Sequence, residues 1–478
     1  MSRALITTRF SALFRSRVLS KRTLHVYTLG EGFLGCLGHG DYAPREHALP
    51  VEALAHKDVK CISAGWTHSA AVCADGELLV WGRPFDMKQP LRIWRIQRFL
   101  PFVVRAINSL ASKRELLARP VVIPIGSPPQ PTPPSWSYDA RPLASAVAAG
   151  ETTTTNQAPS NGADGNTTGQ HHNPTTKPSL LPDEGAAGAG AAAAAGGQPS
   201  PLPPPKAVSV ACSAALTVVL SEDGRVYCMG YNRWGQCGQG SDNVFTIFEP
   251  LRVGGQVLDD ERVTSLAVGF QQVLVLCESG RVYGWGKSLR GQLGIGEQMI
   301  ELPVPVELPG KVIDLRSGFS HAVAVLEDGD VYVWGRMQST DVKAEGRVPV
   351  FHDQLYPRKV DVGAGGRVVE AFCSSFNTLL RMEDGRCGNR MMMFGLEADT
   401  RRNVQVPVEV DLPPTRPGSF FGGFNDIILK SEESGELLRV SFTSNGASVS
   451  PFRLPGIEQD RHVESVSVGW QHTVALVK

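Results

Sequence analysis

Residues Arg262–Glu297 read RVTSLAVGFQQVLVLCESGRVYGWGKSLRGQLGIGE. The segment opens with small and apolar residues that end in Gly269-Phe270. A hydrophobic strand, Val273–Leu276, follows. The pair Ser279-Gly280 supplies the positive φ of a tight hairpin and leads into a third strand, Val282–Gly286. A loop punctuated by Gly286, Gly291, Gly294 and Gly296 closes the unit. The same order recurs at Val59–Gly82, Val208–Gly240, Val312–Gly335 and Val368–Gly395, and in eroded form at Ser419–Val440. His25–Asp41 carries only the second half of a unit, and Val463–Val477 only the first.

The turn glycines Gly224, Gly280, Gly329, Gly385 and Gly435 are 56, 49, 56 and 50 residues apart. Four short strands per such period suit one propeller blade better than a helical repeat. The two half units at the chain ends predict a composite blade that closes the ring by main-chain pairing and removes exposed strand edges. The expected fold is therefore all-β: a seven-bladed β-propeller over 24–86 and 206–478, with one blade completed by N- and C-terminal segments. A long, partly disordered insert occupies 87–205.

Within that insert, 91–119 is basic and apolar, with Arg92, Arg95, Arg98, Arg105, Lys113, Arg114 and Arg119 against the single acid Glu115. Its apolar residues recur near helical spacing. This predicts an amphipathic helix, kinked at Pro101, packed on the propeller flank or docking an acidic partner, RNA or a membrane surface. Residues 126–205 are rich in Pro, Ala, Gly and Thr. They lack the apolar area to offset ordering entropy, so disorder is expected there.

The 478 residues hold 47 basic and 47 acidic side chains. That balance argues against nucleic-acid binding through an overall field. Residues 1–22 contain six basic and no acidic residues, interleaved with apolar ones and Ser/Thr. This is the composition of a mitochondrial presequence. The expected location is the mitochondrial matrix or the matrix face of the inner membrane. The nine cysteines form no C-x-x-C pair and read as small buried hydrophobes in a reducing compartment. No apolar run is long enough to span a bilayer, which leaves peripheral contact as the only membrane role.

His68, His321 and His472 occupy one slot in three units, filled elsewhere by Leu216, Gln272, Asn377 and Asp426. A slot so varied predicts hydrogen bonding to a neighbouring blade's backbone rather than catalysis or metal binding. Catalytic, cofactor and metal sites are accordingly expected to be absent. The glycine loops do not open helices, which argues against phosphate cradles.

The elements G-[WF]-x-H, D-G and [VL]-W-G, with G-x-x-x-x-G-x-[LC]-G-x-G at 30–40, 230–240 and 286–296, resemble the regulator of chromosome condensation repeat. The resemblance covers nearly everything outside 1–22 and the insert. It identifies Gly65, Trp66, His68, Gly269, Gly286, Gly291, Gly294, Gly296, His321, Gly469, Trp470 and His472 as structural repeat residues. It implies a seven-bladed propeller with split-blade closure, most like the family's mitochondrial members. These are implicated in ribosome or RNA metabolism, organelle fusion and respiratory-complex assembly.

The function expected is thus a non-enzymatic scaffold for protein partners, with RNA contact only through 91–119. The family's nucleotide-exchange activity makes a small GTPase the alternative partner, with Asp41, Asp242 and Glu297 as its acidic candidates. Gly65-Trp66-Thr67-His68-Ser69 and Gly469-Trp470-Gln471-His472-Thr473 lack the arginine of the family's photoreceptor motif G-W-R-H-T, which disfavours an ultraviolet photoreceptor.

Overall fold

The computed structural model describes residues 24–84, 117–125, 204–240, 246–342, 349–363, 366–384, 388–400, 402–423, 427–458 and 461–478. Among them are seven antiparallel four-stranded sheets, each one blade. Apart from short 3₁₀ turns such as Phe33–Gly35 and Glu52–Leu54, these residues form strands and loops. In blade 1, His25–Gly30 pairs along its length with His472–Val477, from His25 opposite Val477 to Gly30 opposite His472. Arg45–Pro50 and Val463–Val468 complete that sheet. Blades 2 to 7 follow in chain order. Their inner strands are Val59–Ala64, Ala207–Cys212, Val263–Val268, Val312–Ser317, Arg367–Cys373 and Phe420–Gly422.

The outer strand of blade 2 corrects the boundaries drawn from the repeat. Leu117–Ile123, assigned above to the insert, pairs with Leu78–Gly82 through Leu78–Ile123, Leu79–Val122, Val80–Val121 and Gly82–Leu117. The register shifts between Val80 and Gly82, next to Pro120, which has no N–H to give a ladder. Leu117, Ile123 and Ile125 are buried. The end of the basic segment is therefore a strand, because an edge of blade 2 must be covered there. Residues 85–116 and 126–203 lie outside the described residues. So do the helix expected over most of 91–119 and the candidate side chains Arg92, Arg95, Arg98, Arg105, Lys113 and Arg114.

What joins blade to blade explains the glycine signature. Trp81, Trp285 and Trp334 are fully buried. Each indole Nε1–H donates to a main-chain carbonyl in the glycine loop of the preceding blade: Trp81 to Cys36 at 2.8 Å, Trp285 to Gln236 at 3.1 Å, Trp334 to Gln292 at 3.0 Å. The ring lies against the third glycine of that loop. A Cβ on Gly38, Gly238 or Gly294 would come within 3.0–3.1 Å of the indole. Loop and tryptophan occur together. Blades 1, 3 and 4 carry the loop, and blades 2, 4 and 5 carry the tryptophan. Blades 3, 6, 7 and 1, which follow blades without the loop, have Met229, Phe394, Val440 and Leu29 at that position.

The second glycine of the loop meets backbone rather than a side chain. A Cβ on Gly291 (φ +71°) would lie 2.6 Å from Gln354 O and Leu355 Cα in blade 5. Gly363 (φ +77°) has open space around it. Gly363→Ala should cost about 1–2 kcal/mol, the penalty of a left-handed alanine. Gly291→Ala should cost more than about 3 kcal/mol, because the seam must also open. Chemical unfolding of the two variants checks this ordering.

Candidate functional site

The seven inner strands surround a channel of about 510 Å3. The inner and third strands of a blade run in the same direction, so the G-[WF]-x-H corners and the glycine loops share one face. The tight turns at Asp75-Gly76, Asp223-Gly224, Ser279-Gly280 and Asp328-Gly329 lie at the opposite face. Hydrogen bonds join the corners of successive blades. Trp470 N–H donates to Gly65 O, Trp66 N–H to Ser213 O, Phe270 N–H to Phe319 O and Phe319 N–H to Ser375 O, at 2.9–3.3 Å. The Ser213 hydroxyl donates to Gly269 O at 2.5 Å. A parallel bridge between Gly423 and Val468 links blade 7 to blade 1.

The corner motif has a local cause. The imidazoles of His68, His321 and His472 fold back over the glycine three residues earlier. A Cβ on Gly65, Gly318 or Gly469 would sit 2.1–2.8 Å from the ring. Gly269 stands in the same relation to Gln272. Blades 3 and 6, with Leu216 and Asn377 in the slot, have Ser213 and Ser374 in place of the glycine. Each histidine reaches the next blade: His68 Nε2 to Thr217 Oγ1 at 3.0 Å, His321 Nε2 to Thr378 Oγ1 at 3.1 Å, His472 Nε2 to Ser69 Oγ at 2.8 Å. The partner is a side-chain hydroxyl, where sequence reasoning expects backbone. Gln272 does reach a backbone group, donating to Phe319 O at 3.2 Å.

Burial lowers the imidazole pKa from 6.5 to about 3 for His68, with a smaller push from His472, and to about 4 for His321 and His472. These rings are neutral clasps between blades. Eight cysteines lie among the described residues, all as free thiols. Burial raises Cys212 and Cys373 to about 12, so neither is a thiolate nucleophile.

At the channel mouth the corner aromatics meet. Trp66 stacks on Phe270 at 4.7 Å, Phe270 on Phe319 at 4.4 Å, and Trp66 lies 4.6 Å from Trp470. Phe376 of blade 6 extends the row, 6.1 Å from Phe319. Blade 3 contributes only Ala214 at this position.

Beside the row lies a second cavity, about 430 Å3, between blades 4, 5 and 6. Phe270, Phe319 and Phe376 line one side; Lys287, Arg290 and Arg336 line the other. Arg290 and Arg336 both bond Asp353, at 3.2 and 2.8 Å. Lys287 Nζ sits 4.6 Å from the centre of the Trp234 ring and donates to Gln271 Oε1 at 3.2 Å. Its pKa is lowered, first by burial and then by Arg290 and Arg336.

The cations of this cavity were missed in the sequence because Lys287 and Arg290 stand between the glycines of the best-formed repeat. The usable signal was comparison of loops within the chain: Gly30–Gly35 reads GEGFLG, Gly230–Gly235 GYNRWG and Gly286–Gly291 GKSLRG. Of the acidic candidates, Asp41 is engaged by Arg45 at 2.6 Å and by Ala43 N–H at 3.0 Å. Glu297 is exposed on its loop, and Asp242 lies outside the described residues.

A seven-bladed propeller closed by both chain ends and locked by tryptophans in glycine loops defines the class of protein. The chain carries the regulator of chromosome condensation (RCC1) repeat. The repeat models match residues 25–72, 223–276 and 279–325, and a second form of the repeat matches 59–86 and 312–339. The chain is 25% identical over 298 residues to the ultraviolet-B receptor UVR8 of Arabidopsis thaliana, covering 61% of this chain and 55% of that protein. It is 27% identical over 280 residues to the human E3 ubiquitin-protein ligase HERC2, covering 57% of this chain and 5% of the ligase.

Among solved structures, human WBSCR16 superposes with a TM-score of 0.60 at 15% identity, over 96% of this chain and 99% of that one. Yeast RCC1 (Prp20), in complex with Kap60, gives 0.59 at 17%, over 96% and 90%. These likenesses establish the propeller fold.

The histidine clasps make stability depend on pH. The unfolded chain takes up protons near pH 6.5, and the folded rings resist them down to about pH 3–4. Their contribution is complete above pH 6.5 and drains as pH falls towards 4, by up to about 1.4 kcal/mol per pH unit for each histidine. His321→Gln uses the residue that blade 4 has in the same slot. It should flatten the fall of the unfolding midpoint between pH 6.5 and 4; parallel curves for the two proteins would contradict the assignment.

Proposed function

We propose that the chain is a non-enzymatic mitochondrial scaffold that binds a protein partner through the face bearing the corners and glycine loops. The work it serves is ribosome, RNA or respiratory-complex biogenesis. The observation that carries this reading is convergence. Several departures from the repeat fall on that one face. The described chain stops after Pro84 and resumes at Leu117, whose strand partner is Gly82, so both ends of that excursion lie on this face. The long hairpin of blade 5, Val331–Val342 with Pro349–Val360, opens toward the same side. The aromatic row and the basic cavity lie there too. On the opposite face the short turns recur, and there the chain departs after Ile125 and returns at Lys206 beside Gly76.

The location rests on the basic, acid-free composition of residues 1–22. Among the described residues no helix is long and apolar enough to cross a membrane. Nucleotide exchange on a small GTPase is the second reading. It draws on the structurally similar Prp20p of Saccharomyces cerevisiae, which binds Gsp1p and histones. It has less support from the surface, since Asp41 is already held by Arg45.

Fusion of residues 1–22 to a reporter should carry it into mitochondria in a living cell; a cytosolic or nuclear reporter would overturn the location. Full-length tagged protein should recover a defined partner, and removal of residues 91–114, which spares the strand at Leu117, should weaken that recovery at unchanged thermal stability. Acceleration of nucleotide release from a purified small GTPase by orders of magnitude would favour exchange instead.

A further inference from the structure

We infer that the cavity between blades 4, 5 and 6 binds an acidic peptide segment carrying an aromatic residue, supplied by a protein partner. The inference rests on the reading of this face as the interaction face and names the chemistry it recognises. Among the described residues, three cations line the cavity and no carboxylate does. Asp353, which bridges Arg290 and Arg336, balances one of those charges. A net positive, partly desolvated pocket favours an anion, and the guanidinium of Arg290 can pair with a second carboxylate. Lys287 and Trp234 extend the positive and aromatic surface toward blade 3.

The apolar side decides between a bare anion and a peptide. Phe270 and Phe319 form the wall, while Phe376 and Leu289 stand at the rim, 40% and 38% exposed. Adjacent exposed apolar side chains beside cations suit a chain that places an aromatic ring between carboxylates: the ring covers Phe376 and the acids meet Lys287 and Arg290. A phosphate ion would use the cations and leave that rim uncovered.

The test uses the full chain and a fluorescently labelled peptide of six acidic residues around one phenylalanine, with fluorescence anisotropy as the readout. The wild type should bind it, and binding should weaken as salt rises. Lys287→Glu with Arg290→Glu should weaken binding by about tenfold or more. Phe376→Ala, at an exposed position that folding does not need, should weaken it by about threefold to tenfold. A peptide with alanine in place of phenylalanine should lose a similar factor.

Equal binding of a lysine-substituted peptide, insensitivity to both variants, or no binding at low salt would overturn the inference. So would binding of inorganic phosphate or ATP at the cavity with no peptide binding. Loss of partner recovery on removing 91–114, with no effect of the Lys287 and Arg290 reversals on that recovery, would leave the face as the interaction surface and reject this pocket as its reader.

Discussion

The indole of one blade held in the glycine loop of the blade before it is the constraint on which this structure depends. A propeller blade satisfies its own backbone within its sheet. Its faces, however, must be buried against neighbours whose twist leaves a wedge-shaped gap. A fully buried tryptophan fills that gap, and its single N–H needs an acceptor. The loop provides a carbonyl at 2.8–3.1 Å and a glycine where a Cβ would touch the ring. The two halves of the lock are in different blades, so one has little value without the other. This is why Trp81, Trp285 and Trp334 appear only after blades 1, 3 and 4, and why Met229, Phe394, Val440 and Leu29 serve where the preceding loop has gone.

The corner histidines act on the same seam nearer the axis. There, space is too short for an indole, and a neutral imidazole stacked on a glycine reaches one hydroxyl across. The substitution of Gln272 in blade 4 keeps the reach and exchanges the acceptor for a carbonyl. The pairing of Leu216 and Asn377 with Ser213 and Ser374 shows the other side of the same rule: when no ring or amide folds back, the glycine is no longer demanded.

Much of this was legible in the sequence, and the reason is geometric. Residues that meet in every blade recur at a fixed period, so the strands, the turn glycines, the composite blade and the repeat family could be read from one stretch. Outer strands carry no such obligation. They face solvent on one edge, and Leu117–Ile123 was hidden because its Pro120 and its basic neighbours match no signature. The histidine slot was legible as structural, but the hydroxyl partners were not, since Thr217 and Thr378 follow slot residues in other blades, which lack histidine. The aromatic row was visible as separate motif positions. That four rings from four blades would stack follows only once the corners are brought around a channel narrow enough for them to touch.

The basic cavity shows why regularity does not exclude function. In Gly286–Gly291 the first glycine is fixed by Gln271 and by Gln236 of blade 3, the second by Gln354 and Leu355 of blade 5, and this packing pins the residues between them on one face. Such positions are rigid and free to differ, so Lys287 and Arg290 stand where Glu31 and Leu34 stand in blade 1, and where Tyr231 and Trp234 stand in blade 3. Ring symmetry places equivalent side chains around the mouth, and divergence among them turns a symmetric scaffold into a directional surface. Blades 4 and 5 supply the cations, blades 4, 5 and 6 supply the phenylalanines, and blade 3 withdraws to alanine at the corner while offering Trp234 from its loop. A partner that reads this face therefore meets, beside the chain inserted in blade 2, side chains that the repeat itself leaves unconstrained.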